Sequence, residues 1–153
     1  MKIRILARVI IFAKDRILLV KNRGMNFWYP PGGEWEFKKE TIIEAAKREV
    51  KEETGLDVEI IRLLYLQEFH PNSTTIFFET FWLGKPHGKL TQVKNWKDLM
   101  HEGLVEEARW FTKDEIQNLQ VFPKRLKTTF WERINKFLEE EDPFIGVLGL
   151  EQV

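Results

Sequence analysis

Gly33 to Leu56 reads GEWEFKKETIIEAAKREVKEETGL, and the fold is decided in this stretch. Thr41 is followed three residues later by Glu44, the pairing of a capping box, so a helix starts there, and Gly55 sits where it stops. At about 100° per residue, with Glu49 as zero, Glu52 falls near 300° and Glu53 near 40°, so three carboxylates crowd a sector about 100° wide. Like charges so spaced repel by roughly 0.2–0.5 kcal/mol per pair even on an exposed helix. Ile42, Ala45 and Ala46 share that sector, whereas Glu44, Lys47, Arg48 and Lys51 fill the opposite and flanking sides. The acids therefore border the face that points inward. A solvated face would alternate charge, with Lys four residues after Glu, and neither Lys47 nor Lys51 lies among the acids.

Partly buried neighbouring carboxylates either take up protons or hold a cation. Hard oxygen donors in a chain without cysteine select a hard divalent ion, magnesium first and manganese second. Magnesium typically meets its substrate through phosphate oxygens, so phosphate chemistry is expected. The Gly32-Gly33 turn fits, because a backbone without Cβ can approach a metal or phosphate closely and offer a carbonyl oxygen.

Upstream, Ile3 to Ala13 is rich in Ile, Leu and Val, and Lys14-Asp15-Arg16 separates it from Ile17 to Val20, which predicts a hairpin. Asn22 to Asn26, with Gly24, reads as a loop, and Phe27-Trp28-Tyr29 runs into Pro30-Pro31-Gly32-Gly33. Downstream, Asp57 to Phe69 and Thr74 to Leu83 read as paired strands of a mixed sheet. Lys85 to Gly103 is the longest candidate functional loop. Ala108 to Phe111 is a short strand, Thr112 caps a helix over Asp114 to Leu119, and a final helix from about Lys124 to Glu140 places Leu126, Phe130, Ile134, Phe137 and Leu138 on one face. The expectation is an α/β layered fold, with residues 1–153 as one domain.

The charge balance excludes a duplex-binding surface, since 24 Lys plus Arg are matched by 24 Asp plus Glu. Any nucleotide partner is small. The absence of cysteine removes disulfides, thiolate nucleophiles and iron–sulfur clusters. Met1 to Ala13 is broken by Lys2, Arg4 and Arg8, so it lacks a signal-peptide core and is too short to span a bilayer. The expected location is cytoplasmic, with no membrane partner. Asn72-Ser73-Thr74 is expected to be a polar turn rather than a glycosylation site. The tail 143–153, with Phe144, Ile145, Val147, Leu148 and Leu150, packs on its own domain or on a second copy, which leaves a homodimer open.

The quoted stretch resembles the signature box of the Nudix hydrolases. Arg48-Glu49-Val50-Lys51-Glu52-Glu53-Thr54-Gly55-Leu56 matches its second half at every fixed position, and Glu40 lies the required distance before Arg48. There is one more residue between Gly33 and Glu40 than the pattern has, so either the turn after Glu36 carries an insertion or the glycine's role has shifted. Glu107-Ala108-Arg109-Trp110-Phe111 and the capped helix after it are compatible with the same plan. The resemblance implies an α/β/α sandwich on a mixed sheet and hydrolysis of a small-molecule substrate, a nucleoside diphosphate linked to another moiety. Glu49, Glu52 and Glu53 would hold magnesium, with manganese as the alternative and the Gly33 carbonyl as a further ligand. Arg48 would hold the acids in place, and a surface pair with Glu44 is an equal and compatible reading.

For the general base Glu53 is the first choice and Glu102, in the long loop, the second. Arg23 and the rings of Phe27, Trp28 and Tyr29 are the candidates for the substrate's phosphates and base, although each ring taken alone is more often core. His70, His87 and His101 have no metal-ligand spacing. Pro71 lies near where ADP-ribose-cleaving members carry a proline, a slight lean toward ADP-ribose or nucleotide-sugar substrates. A nucleoside triphosphate pyrophosphatase that clears damaged nucleotides and a dinucleoside polyphosphate hydrolase share the same metal chemistry. A non-hydrolytic nucleotide sensor is disfavoured by the intact acid triad.

Overall fold

The computed structural model describes residues 1–88 and 105–139. In chain order these form β1 (Lys2–Ala13), β2 (Arg16–Asn22), β3 (Gly32–Glu34), α1 (Ile42–Thr54), β4 (Val58–Asn72), β5 (Thr75–Pro86), β6 (Val105–Thr112), α2 (Lys113–Ile116), a 3₁₀ turn (Lys124–Lys127) and α3 (Thr129–Glu139). The expected hairpin joins β1 to β2, its two turn residues Lys14 and Asp15 both at positive φ, 49° and 59°. That geometry matches the twist of the strands it connects. The sheet runs β4-β5-β1-β2-β6, with β3 on β1 beside β2. β1 and β5 pair in parallel from Lys2 opposite Thr75 to Ile11 opposite Gly84, while the other named pairs are antiparallel.

Alternation along the strands makes two cores. Ala7, Val9 and Ile11 of β1, with Leu18 of β2, meet Ala46 and Val50 of α1, together with Leu56, Val58 and Trp82. On the opposite face Ile10, Ile17, Leu19, Phe81, Leu83 and Phe111 meet Ile116 of α2 and Phe130 and Ile134 of α3. Helices on both faces of a mixed sheet give the expected α/β/α sandwich. Among the described residues no helix is long and apolar enough to cross a membrane.

Three expectations about elements are corrected. The continuous final helix is broken: a 3₁₀ turn follows Pro123, and Thr128, at φ −134° and ψ −96°, leaves helical space before α3 begins. Leu126, Phe130 and Ile134 are buried as expected, but Leu138 is 46% exposed. It lies about 80° round the helix from Phe130, at the margin of the inward face. The second capped helix is shorter than expected, ending at Ile116, although Thr112 caps it by accepting a hydrogen bond from the Glu115 amide. β5 runs on to Pro86, so the first residues assigned to the long loop belong to a strand. Asn72 Oδ1 accepts from the Thr74 amide at 2.9 Å, the expected polar turn. Glu102, His101 and the apolar tail 143–153 lie outside the described residues.

Phe130 is fully buried, with its ring edge-on to Phe12 and Trp131 at 6.3 and 5.4 Å. Phe130→Ala is expected to destabilise by about 3–5 kcal/mol, and Leu138→Ala by less than about 0.5 kcal/mol. Urea denaturation of the two variants checks the assignment of the inward face.

Candidate active site

α1 begins as the sequence requires. Thr41 Oγ1 accepts from the Glu44 amide at 3.2 Å, Glu44 Oε1 accepts from the Thr41 amide at 3.4 Å, and Gly55 closes the helix at φ 77°. Ala45, Ala46 and Val50 seat the helix on the sheet, which turns Glu49 and Glu53 toward the glycines of β3. A Cβ on Gly33 would lie 2.4 Å from the Glu49 carboxyl carbon and 2.6 Å from each of its oxygens, so any side chain there would displace that carboxylate from its seat. The Gly32 amide donates to Glu53 Oε2 at 3.2 Å.

Burial dominates the charge state of both acids. Desolvation, with Glu49 and Glu52 adding to it, pushes the Glu53 carboxyl up to about 8, against the pull of Arg8 and the Gly32 amide. Glu49 is also pushed up, chiefly by burial, and Arg48 opposes the shift. Glu52 is different: its side chain is 58% exposed and leans on Arg48 at 3.4 Å. Among the described residues no three acidic or histidine side chains converge as a metal-holding group. In this arrangement Glu49 and Glu52 face Arg48, and Glu53 faces the Gly32 amide. The donor chemistry nevertheless fits a hard divalent ion, since carboxylate oxygens lie against a glycine pair that leaves the main chain open to them.

Arg48 is the organiser. It grips Glu40 with two nitrogens, Nε to Oε2 at 2.9 Å and Nη2 to Oε1 at 2.7 Å, while Nη1 donates to Glu49 Oε1 at 2.9 Å and Nη2 to the Glu34 carbonyl at 3.2 Å. The pair with Glu44 is corrected, because the cap has already engaged that carboxylate. Arg48 holds the Glu40 carboxyl below the ordinary glutamate range. Glu40 also explains the extra residue of the box. Lys39 N donates to Glu36 O at 2.9 Å, Trp35 Nε1 to Glu40 O at 2.8 Å and Glu36 N to Glu40 Oε1 at 3.2 Å, so an outward turn absorbs it. Gly33 keeps its place against Glu49.

The opposite sheet face brings together residues that the sequence did not mark. Arg8 Nε donates to Glu79 Oε1 at 2.9 Å, its guanidinium lies 4.9 Å from the Tyr29 ring centroid, and Gln67 Nε2 donates to Glu79 Oε2 at 3.3 Å. The available signal was a charge set among apolar neighbours, Arg8 within the aliphatic run of β1 and Glu79 within the aromatic run of β5. Tyr29, an expected substrate residue, is therefore at the site, its hydroxyl pushed up to about 12 by burial and by Glu53. Trp28 is only 7% exposed and sits edge-on to Phe111 at 4.9 Å, inside the core. Phe27 packs on Phe122 at 5.4 Å. Arg23 is exposed in the turn after β2, with no ion pair among the described residues. A groove of 590 Å³ opens nearby, lined in part by Tyr65, Gln67, Phe122, Pro123, Lys124 and Arg125.

Residues 2–131 match the NUDIX domain family. The chain belongs to that family. As a Nudix domain it is 34% identical over 111 residues to human 8-oxo-dGDP phosphatase NUDT18, covering 71% of this chain and 32% of the relative. It is 29% identical over 96 residues to the 8-oxo-dGTP diphosphatase of Buchnera aphidicola subsp. Acyrthosiphon pisum, covering 60% of this chain and 77% of that protein. The chain thus spans about a third of the length of the human relative. The crystal structure of an ADP-ribose pyrophosphatase from Streptococcus suis superposes with a TM-score of 0.62 at 25% identity, covering 91% of this chain and 94% of that one.

Because the folded pKa of Glu53 lies above the ordinary 4.5, its contribution to metal-free stability is present below that value and is lost as pH rises toward about 8. Glu53→Gln cannot ionise. Metal-free Glu53→Gln is expected to melt higher than the parent at pH 8, with the gap closing toward pH 4.5, in calorimetric scans in chelator.

Proposed function

We propose that this Nudix domain is a magnesium-dependent hydrolase that cleaves the diphosphate link of a nucleoside diphosphate derivative. Glu49 and Glu53 seated on the adjacent glycines Gly33 and Gly32 carry this reading. Members of the family generally use divalent ions, and the hard oxygen donors favour magnesium, with manganese next. When bound, the ion supplies charge neutralisation on the diphosphate and activation of water.

The chain's own residues do the rest. Glu49 and Glu53 would hold the ion, with the Gly33 carbonyl as a further ligand, and Glu52, whose contacts to Arg48 are long, would complete the set. Arg48, fixed by Glu40, keeps Glu49 oriented. Glu53, a buried carboxyl with high proton affinity, is the first candidate to take the proton of the attacking water, and Glu102 is the second. Tyr29 borders the phosphates, Arg23 reaches them from its turn, and the groove beside Gln67 receives the rest of the substrate. Trp28, packed on Phe111, anchors in the core the segment that carries Tyr29.

Two substrate classes have specific support. The resemblance to an ADP-ribose pyrophosphatase favours a nucleoside diphosphate linked to a sugar. The named activities of the human and Buchnera relatives favour an oxidised nucleoside di- or triphosphate. A substrate panel with magnesium, read by chromatography, separates them. AMP plus a sugar phosphate supports the first, and a nucleoside monophosphate plus phosphate or pyrophosphate supports the second. Absence of product from every substrate and metal overturns the hydrolase reading. Glu53→Gln is expected to lower turnover by about a hundredfold or more with an unchanged or higher melting temperature, and retained activity removes Glu53 from the chemistry.

A further inference from the structure

Leu6, Arg8 and Ile10 share one face of β1, and the two flanking side chains are buried, at 8% and 0% exposure. A guanidinium between them is heavily desolvated unless paired. Arg8 is paired: its Nε donates to Glu79, and both side chains are nearly buried, at 16% and 12% exposure. Gln67 holds the second oxygen of Glu79, and the Pro30 carbonyl accepts from Arg8 Nη1 at 3.4 Å. Nη2 has no partner among the described residues.

The same glycine fixes Arg8 and the acid site relative to each other. A Cβ on Gly32 would lie 2.5 Å from Arg8 Cα and 2.8 Å from its Cγ, and the amide of that glycine donates to Glu53. A planar, permanently charged fork thus stands one residue from a carboxylate assigned to the metal. A diphosphate bound to an ion at Glu49 and Glu53 leaves anionic oxygens for such a fork to meet.

We propose that Arg8 is a phosphate-binding residue that takes an oxygen of the substrate's diphosphate through Nη2, and that Glu79 and Gln67 are positioning residues that hold it there. The inference rests on the diphosphate reading of the site. It also accounts for an ion pair that the cores do not need, since an apolar pair would fill those positions without desolvating two charges.

The rival account is that Arg8 and Glu79 only stabilise the sheet, and paired neutral substitutions separate the two. Calorimetric titration with α,β-methylene-ADP and magnesium is run on the parent chain, Arg8→Gln, Glu79→Gln and the double variant Arg8→Gln/Glu79→Gln. Manganese alone is titrated into each. Removing a charged donor to phosphate is expected to weaken analogue binding about tenfold or more in both Arg8→Gln and the double variant. Glu79→Gln falls between these and the parent. In Arg8→Gln and the double variant manganese uptake is kept or tightened, because a neighbouring cation has been removed. The double variant regains melting temperature lost by Arg8→Gln, since no carboxylate is left buried and unpaired, so it carries the test if the single variant folds poorly. A double variant that binds the analogue like the parent overturns the phosphate role alone. A parent chain that takes up metal but not the analogue overturns that role together with the diphosphate reading.

Discussion

The approach of α1 to β3 without an intervening Cβ is the contact on which the site depends. Gly33 leaves room for the Glu49 carboxylate, and Gly32 leaves room for Arg8 on one side while its amide engages Glu53 on the other. A larger residue at Gly33 would displace the Glu49 carboxylate, and one at Gly32 would push β3 from the β1 backbone at Ala7 and Arg8. Ala46 and Val50 fix the other edge of that approach by packing on Ala7, Val9 and Ile11. Helix packing and acid placement are therefore one geometric condition.

Two arginines divide the electrostatic task. Arg48 serves the exposed end, where Glu40, Glu49 and Glu52 converge on one guanidinium, and a shared counter-charge offsets the repulsion that α1 would otherwise carry. Arg8 serves the buried end. It is the main favourable charge on Glu53, yet it belongs to a strand rather than to the helix. The acids are thus braced from two adjacent layers, helix and sheet, and each arginine is itself held by a carboxylate from elsewhere, Glu40 or Glu79.

What was legible in the sequence was local. Thr41, Glu44 and Gly55 fix the limits of α1 by contacts within one turn, so the helix and its acids follow from spacing alone. The same holds for the hairpin at Lys14 and Asp15 and for the turn at Asn72. The pairing of Arg8 with Glu79 joins residues that only the parallel register of β1 and β5 brings together, and no periodicity announces it. Trp28 could not be told from a substrate-stacking ring until Phe111 was known to cover it. Arg48 looked equally suited to Glu44, and the choice fell to Glu40 because the cap had claimed the nearer acid. The break at Thr128 hides inside a well-patterned amphipathic run, where hydrophobic spacing is blind to backbone irregularity.

The parallel pairing of β1 with β5 also shapes how the chain reaches this state. Lys2 lies opposite Thr75 and Ile11 opposite Gly84, so β1 acquires this neighbour only after a long loop has closed. Such non-local contacts slow folding relative to helical bundles. During synthesis the chain carries β1, with Ile3, Ile5, Val9 and Ile10, as an unpartnered edge until β5 has left the ribosome. That interval exposes an apolar strand to other chains, which makes chaperone dependence and aggregation on rapid expression the natural hazards of this topology.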